Sequence, residues 1–442
     1  MMPKLASLLS TLFGTSFFLT VARLGGAGTG IILQILIARF YGADVLGTYY
    51  VALSLGGILS VFISMGYPWI VAPILADHEA DSHSTSLKAF LQLVRKDALL
   101  LTGLFSIPIA LLIWLYPEMA TDKRYALLIG LATAPVYLVM RLCGGIANAM
   151  KFFQLANLPE LLFRPVLTLC FVAAALAFSV PIGSVSIVTL NFLIVVALTV
   201  WMALALRQKT RSEFVGAAGD APLSGQETSK LRRLAVPMIF STLFVNMFAD
   251  MDILMIGLIL PVDEAGIFGV AMKIAALLVF AVQVTHQILL RDAANAHLAA
   301  DSQKMHRIIG KANVFAIVSS IASLIGLLLF GKFVLGLFGP EFQAAYVCLL
   351  GLIIAQIIRA SAGPAIQILM ITKNQRAGIP VYICSTVLLF VSNLVLVPLF
   401  KYEGAAAAVI ITTLFWSVWL NHLAKQKTGY QVSIFGKSRR VH

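Results

Sequence analysis

The sequence predicts an all-α integral membrane protein of about twelve transmembrane helices in two pseudo-symmetric six-helix lobes. Three observations predict it. Of 442 residues, 60% are hydrophobic and only 12% charged, against roughly 25% charged in an ordinary soluble domain. The apolar residues run in stretches of about twenty, the length at which an α-helix crosses a bilayer, without the short alternations of a transmembrane barrel. The two halves of the chain also echo one another.

In chain order the expected spans are 16–38, 46–67, 97–116, 125–146, 160–179 and 184–206, then 235–258, 265–287, 312–331, 345–370, 378–399 and 404–423. The opening MMPKLASLLSTLFGTSFFLTVARL sets a charge ahead of an apolar run, as a signal peptide does. Its pattern continues past Arg23 to about Ile37, too long for a cleaved core, and it reads as the first span. The most polar stretch, RQKTRSEFVGAAGDAPLSGQETSKLRR, falls between the two sets. The expected organisation is therefore an N-terminal lobe at 1–206, a cytoplasmic linker at 207–234, a C-terminal lobe at 235–424 and a basic cytoplasmic tail at 425–442.

Charge placement supplies the orientation. Of 32 Lys and Arg, 22 fall in the termini and alternate loops on one side, while the opposite loops carry only Arg39, Lys123, Arg124, Lys332 and Lys401. Lys and Arg gather on the cytoplasmic side, so both termini are expected there. The basic surplus thus reports topology. No basic patch with interleaved aromatics suggests nucleic acid as a partner.

The echo is clearest where ARFYGADVLGTYYVAL, from Ala38, is laid on GLILPVDEAGIFGVAM, from Gly257, and RLCGGIA, from Arg141, on RASAGPA, from Arg359. The offsets are 219 and 218 residues. Six spans per half preserve orientation, so the repeat is parallel, about an axis along the membrane normal, and a substrate is expected between the halves.

Five cations lie within the spans: Arg23, Arg141, Arg164, Lys273 and Arg359. Each would cost about 2.5–3.5 kcal/mol facing lipid, so they must face a cavity, a partner or the interface. Residues three and four apart share a helix face. Ser16, Thr20, Arg23, Gly30 and Gln34 then form one polar stripe. Thr133, Tyr137, Arg141, Gly144 and Asn148 form a second, and Gln356, Arg359, Gly363 and Gln367 a third. The candidate substrate-binding residues are Arg23, Arg141, Arg164, Lys273, Arg359, Gln34, Asn148 and Gln356. In span seven Thr242, Asn246 and Asp250 recur every four residues, with Asp252 turned about 200° from Asp250. Asn246, Asp250 and Asp252 are the candidates for ion coupling, Asp250 ahead of Asp252. Five cations against one or two carboxylates suit an anionic ligand. Bland readings stand beside these. Arg164 can pair with Glu160 one turn earlier or snorkel, and Lys273 can bridge to Asp250 or Asp252.

Several chemistries are excluded. Cys143, Cys170, Cys348 and Cys384 lie in apolar stretches without paired spacing, and the histidines form no HExxH-like cluster, so no disulfide, metal or other cofactor is expected. GGAGTG at Gly25–Gly30 sits inside a span with no strand before it, and no Walker-type GKS/T occurs, so nucleotide binding is not expected. Gly26 and Gly30 read instead as sites of close helix packing or bending.

The stretches ARFYGADVLGTYYVALSLGGILSVFISMGYP, ADMDILMIGLILPVDEAGIFGVAMKIAAL and NLVLVPLFKYEGAAAAVIIT resemble the polysaccharide-transport branch of the multidrug/oligosaccharidyl-lipid/polysaccharide (MOP) exporter superfamily. That resemblance implies a two-lobed flippase of the bacterial inner membrane, moving isoprenoid-diphosphate-linked oligosaccharides to the outer leaflet by alternating access. Arg23 stands where the related peptidoglycan-precursor flippases place a cation in their first helix. Their usual second Arg and two extra helices are absent, which favours O-antigen or exopolysaccharide repeat units, and so a place in lipopolysaccharide biosynthesis. The implied partners are the lipid-linked oligosaccharide, membrane lipids, H⁺ or Na⁺ as coupling ion, and a polysaccharide polymerase and ligase. Two rival classes remain in view. A multidrug/cation antiporter of the same superfamily would prefer an acidic, aromatic cavity. A membrane enzyme of polysaccharide assembly would carry a large outward loop, and none here exceeds about fifteen residues; no enzymatic activity is expected.

Overall fold

We describe the computed structural model of the chain, which covers residues 2–80, 87–215, 224–299 and 301–434. Every regular element among them is helical. In order these are α1 (Met2–Ser64), α2 (Tyr67–Ala80), α3 (Leu87–Leu115), α4 (Thr121–Ala149), α5 (Phe153–Leu158), a π-helical turn (Pro159–Phe163), α6 (Arg164–Ala177) and α7 (Ser184–Val215). There follow α8 (Gly225–Ile259), α9 (Val262–Leu298), α10 (Ser302–Gly336), a 3₁₀ turn (Pro340–Ala345), α11 (Tyr346–Ala362), α12 (Ala365–Ile371), a second 3₁₀ turn (Gln375–Gly378) and α13 (Ile379–Thr428).

Length alone shows that two of these are double spans. At about 1.5 Å per residue, the 63 residues of α1 and 50 of α13 far exceed a hydrocarbon core of about 30 Å. Both are broken where required. In α1 Gly42 takes φ 86°, ψ 171°, a conformation open to glycine. In α13 the break is at Phe400 and Lys401. Among the described residues eight stretches are long and apolar enough to cross a membrane. The stretches of 44 and 54 residues hold two spans each, and α8 and α9 complete the expected twelve. The chain is a multi-pass membrane protein.

The surface agrees. On α3 the side chains of Leu99, Leu100, Leu104, Ile107, Leu111, Leu112 and Leu115 are 53–71% exposed, a continuous apolar face that water would penalise and lipid accepts.

The chain divides into two compact units at Thr242/Leu243. In the first, small residues let backbones touch: a Cβ on Gly130 of α4 would stand 2.3 Å from the carbonyl oxygen of Ala52 on α1. Such close crossings replace the hydrophobic drive that lipid removes. Tyr67, Phe90, Tyr137, Val195 and Ala235 share its core. The second unit centres on Phe244, stacked on Tyr382 at 4.5 Å and edge-on to Trp416 at 5.4 Å.

The polar stretch between the lobes is helical at both ends, since α7 continues to Val215 and α8 starts at Gly225; residues 216–223 and the tail at 435–442 lie outside the described residues. α8 begins at a capping box: Ser224 N–H donates to Glu227 Oε2 at 2.8 Å, and Glu227 N–H to Ser224 Oγ at 3.2 Å. The Ser224 N–H holds the exposed Glu227 carboxyl below the usual glutamate range. One turn on, Leu231 enters the first unit's core and Arg232 grips Asp97 of α3, Nε to Oδ2 at 2.9 Å and Nη2 to Oδ1 at 2.5 Å. The Tyr67 hydroxyl donates to the same Oδ2 at 2.5 Å.

Candidate functional site

The first lobe gathers arginines around one tyrosine. Tyr137 of α4 is 4% exposed. The guanidinium carbons of Arg141, also on α4, and Arg164, at the start of α6, stand 5.9 and 5.8 Å from its ring centroid. Both distances lie within cation–π range. Arg164 Nη1 donates to the Tyr137 hydroxyl at 2.8 Å, and Arg141 Nη1 donates to Ser60 Oγ at 2.8 Å, tying the group to α1. Tyr49, buried on α1, has Arg164 and Tyr137 as its electrostatic neighbours.

The backbone explains how Arg164 arrives there. From Pro159 to Phe163 the helix widens to a π turn, and the Arg164 N–H bonds the Pro159 carbonyl. The π turn sets the register at which α6 starts, and Arg164 there reaches Tyr137. The π turn lies directly against α1. A Cβ on Gly26 would fall 1.7 Å from the Leu161 carbonyl oxygen, whereas one on Gly30 would meet nothing within 4 Å. Of the two glycines expected to permit close packing, Gly26 does so here and Gly30 does not. Arg23 is half-buried one turn before Gly26 on α1.

Other expected site residues are more scattered. Gln34 is half-buried on α1, its Oε1 buried without a hydrogen-bond partner. Asn148 is exposed at the end of α4 and accepts from Asn157 Nδ2 at 3.3 Å. In the second lobe Lys273 is half-buried on α9 and Arg359 exposed on α11, with Gln356 beside it carrying a buried, unpartnered Oε1. Asp250 is half-buried. Asp252 is fully buried and accepts from Asn393 Nδ2 at 2.6 Å. Among the described residues no ion pair joins Lys273 to either aspartate. The side chains of Ser16, Thr20 and Asn246 lie outside the described residues.

Tyr137 belonged to a recognised stripe, but its ring between two arginines did not follow from helical phase. Ser60 and Tyr49 carry no local signal, because an isolated Ser or Tyr in an apolar span reads as packing. Chemically, two permanently charged forks lie against a ring and two hydroxyls. Arg–phosphate and Arg–carboxylate pairing is the strong, directional use of such groups.

Residues 14–287, more than half of the chain, match the family described as "Polysaccharide biosynthesis protein". The chain belongs to that family. Solved structures show what fold the family member adopts. It is similar to an inward-facing multidrug resistance MATE family transporter of the MOP superfamily, with TM-score 0.71 at 14% identity over 93% of this chain and 99% of that one. It is similar to the Lipid II flippase MurJ in an inward closed conformation, with TM-score 0.70 at 12% identity over 92% and 87%. A third likeness is to a MOP superfamily transporter from Pyrococcus furiosus Vc1 (DSM3638) described as having reversed binding-pocket polarity, with TM-score 0.51 at 15% identity over 92% and 91%. At these identities the likeness establishes the MOP transporter fold. No curated protein matches the chain by sequence.

Proposed function

We propose that this family member is a flippase that carries an isoprenoid-diphosphate-linked oligosaccharide, an O-antigen or exopolysaccharide repeat unit, from the cytoplasmic to the outer leaflet of a bacterial inner membrane by alternating access. The observation that carries the proposal is the convergence of Arg141 and Arg164 on Tyr137 within a membrane-spanning lobe, with Arg23 as a further candidate. Cations so placed are costly unless an anion uses them, and a lipid diphosphate is the anion a bilayer protein of a polysaccharide family meets. Arg359, Lys273, Gln34, Asn148 and Gln356 serve as further contacts to diphosphate and sugar. Moving two negative charges outward gains about 4.6 kcal/mol per 100 mV of inside-negative potential, so an ion gradient is an optional drive. Asp250, with Asp252 and Asn246, is where H⁺ or Na⁺ would couple.

The fold is equally similar to a multidrug transporter and to a lipid flippase. Charge supports the flippase reading, because a site for organic cations would favour acidic residues over the arginines at Tyr137. The test is a deletion strain. Loss of the chain should accumulate a lipid-linked saccharide on the cytoplasmic side without changing drug sensitivity, and Arg141→Gln should fail to restore export. Full restoration by normally inserted Arg23→Gln, Arg141→Gln and Arg359→Gln variants would reject the reading.

A further inference from the structure

Apart from the arginine crossing, the first lobe holds a cavity of about 380 Å³ at the Lys/Arg-rich end of α7, within the range of small-ligand sites. Phe152, Leu158, Phe163 and Trp201 wall it, and Lys151 and Lys209 stand at its rim. Trp201 is 46% exposed and meets Phe163 edge-on at 5.9 Å. Lys209 Nζ lies 4.6 Å from the Phe152 ring centroid.

A second, independent observation concerns Lys151. α4 ends with Phe152 N–H bonded to the Ala147 carbonyl at 2.7 Å and Lys151 N–H to that of Asn148 at 3.1 Å. This is the double cap whose left-handed position is usually glycine. Lys151 occupies that position with φ 63°, a conformation that costs an L side chain about 1–2 kcal/mol. The second lobe repeats the arrangement 222 residues on. After α12, Lys373 has φ 59°, Asn374 N–H bonds Leu369 O at 2.8 Å and Lys373 N–H bonds Met370 O at 3.1 Å. Twice a lysine stands at this cap, as Ser179 does after α6 with φ 53°, and each lysine sets its charge at a helix end.

We propose that the cavity binds the phosphate of a membrane lipid. Lys151 and Lys209 neutralise the phosphate as point charges, and the Trp201–Phe163 wall lies beside the glycerol or first isoprene and the upper chain. Tryptophan beside lysine is the pairing expected at the headgroup level, and basic residues there attract anionic lipid. The lipid is either an anionic phospholipid of the leaflet or a polyisoprenyl diphosphate. The phosphatidylglycerol arm needs only membrane placement, whereas the polyisoprenyl diphosphate arm rests on the translocation reading. Bound lipid would also touch α5, which leads straight into the π turn carrying Arg164.

The test titrates the full-length protein in neutral detergent with phosphatidylglycerol, phosphatidylcholine and a polyisoprenyl diphosphate, read by native mass spectrometry. Lys151→Asn removes charge with a residue that tolerates the left-handed position, so its melting temperature should hold or rise. With Lys209→Gln added, affinity for phosphatidylglycerol or for the diphosphate should fall about tenfold, and which of them falls identifies the lipid. Lys209→Arg should retain binding. A folded double variant that binds both anionic lipids as the native chain does would overturn the proposal, as would native protein that binds phosphatidylcholine as tightly as either anionic lipid.

Discussion

In the N-terminal lobe Arg141 of α4 and Arg164 of α6 meet at the Tyr137 ring, with the Ser60 and Tyr137 hydroxyls accepting from them. In the C-terminal lobe Lys273 and Arg359 stand on separate helices, Asp252 is sealed against Asn393, and Lys401 Nζ bridges Glu264 Oε1 at 2.8 Å. Yet the backbones follow one plan. The break at Gly42 corresponds, 219 residues on, to the one at Pro261 before α9, and the lysine-capped helix end recurs at Lys151 and Lys373. The backbone repeats between the lobes while the polar side chains do not: the first gathers two arginines at Tyr137, and the second buries Asp252 against Asn393.

The largest expected effect comes from the contact that assembles the arginine crossing. Gly26→Ala forces a Cβ into the Leu161 carbonyl and should destabilise the protein by about 3 kcal/mol or more in thermal unfolding. Gly30→Ala, in open space on the same helix, should be neutral or gain up to about 1 kcal/mol. Equal effects at the two would remove the reason for the crossing. Next in size is transport. Arg141→Gln and Arg164→Gln should each slow lipid-linked saccharide flipping in vesicles about 100-fold, and Arg359→Gln about tenfold. The reverse order would place the anion on the other lobe.

Salt bridges offer a smaller contrast. The bidentate Arg232–Asp97 pair has Asp97 nearly buried but Arg232 43% exposed, so Arg232→Gln should cost about 2 kcal/mol, below the full penalty for breaking a buried pair. Lys401, 63% exposed, should lose clearly less as Gln. Denaturant melts of the two variants compare them. The smallest effect on basal rate is expected for Asp250→Asn, which should alter only dependence on an imposed H⁺ or Na⁺ gradient; unaltered dependence removes Asp250 from coupling.

The all-helical spans, the doubled half and the five intramembrane cations were legible in the sequence because lipid imposes length and apolarity residue by residue. Polar stripes brought Arg141 and Tyr137 onto one face for the same reason. The π turn was not legible: Pro159 marks a start, but nothing in PELLF distinguishes a π from an α turn. Nor was the Arg232–Asp97–Tyr67 group, since its members are 135 and 30 residues apart and each alone reads as an interfacial polar residue. Pairings over such distances are set by helix packing, which local periodicity does not encode.

The most direct measurement is the affinity of the purified protein for a polyisoprenyl diphosphate-linked saccharide, with and without the Arg141→Gln/Arg164→Gln pair, melting temperature being followed in parallel. The double variant should bind about 100-fold more weakly while its fold holds, and Arg359→Gln should lose less. Undiminished affinity in a folded double variant would contradict the assignment of the anion to the first lobe.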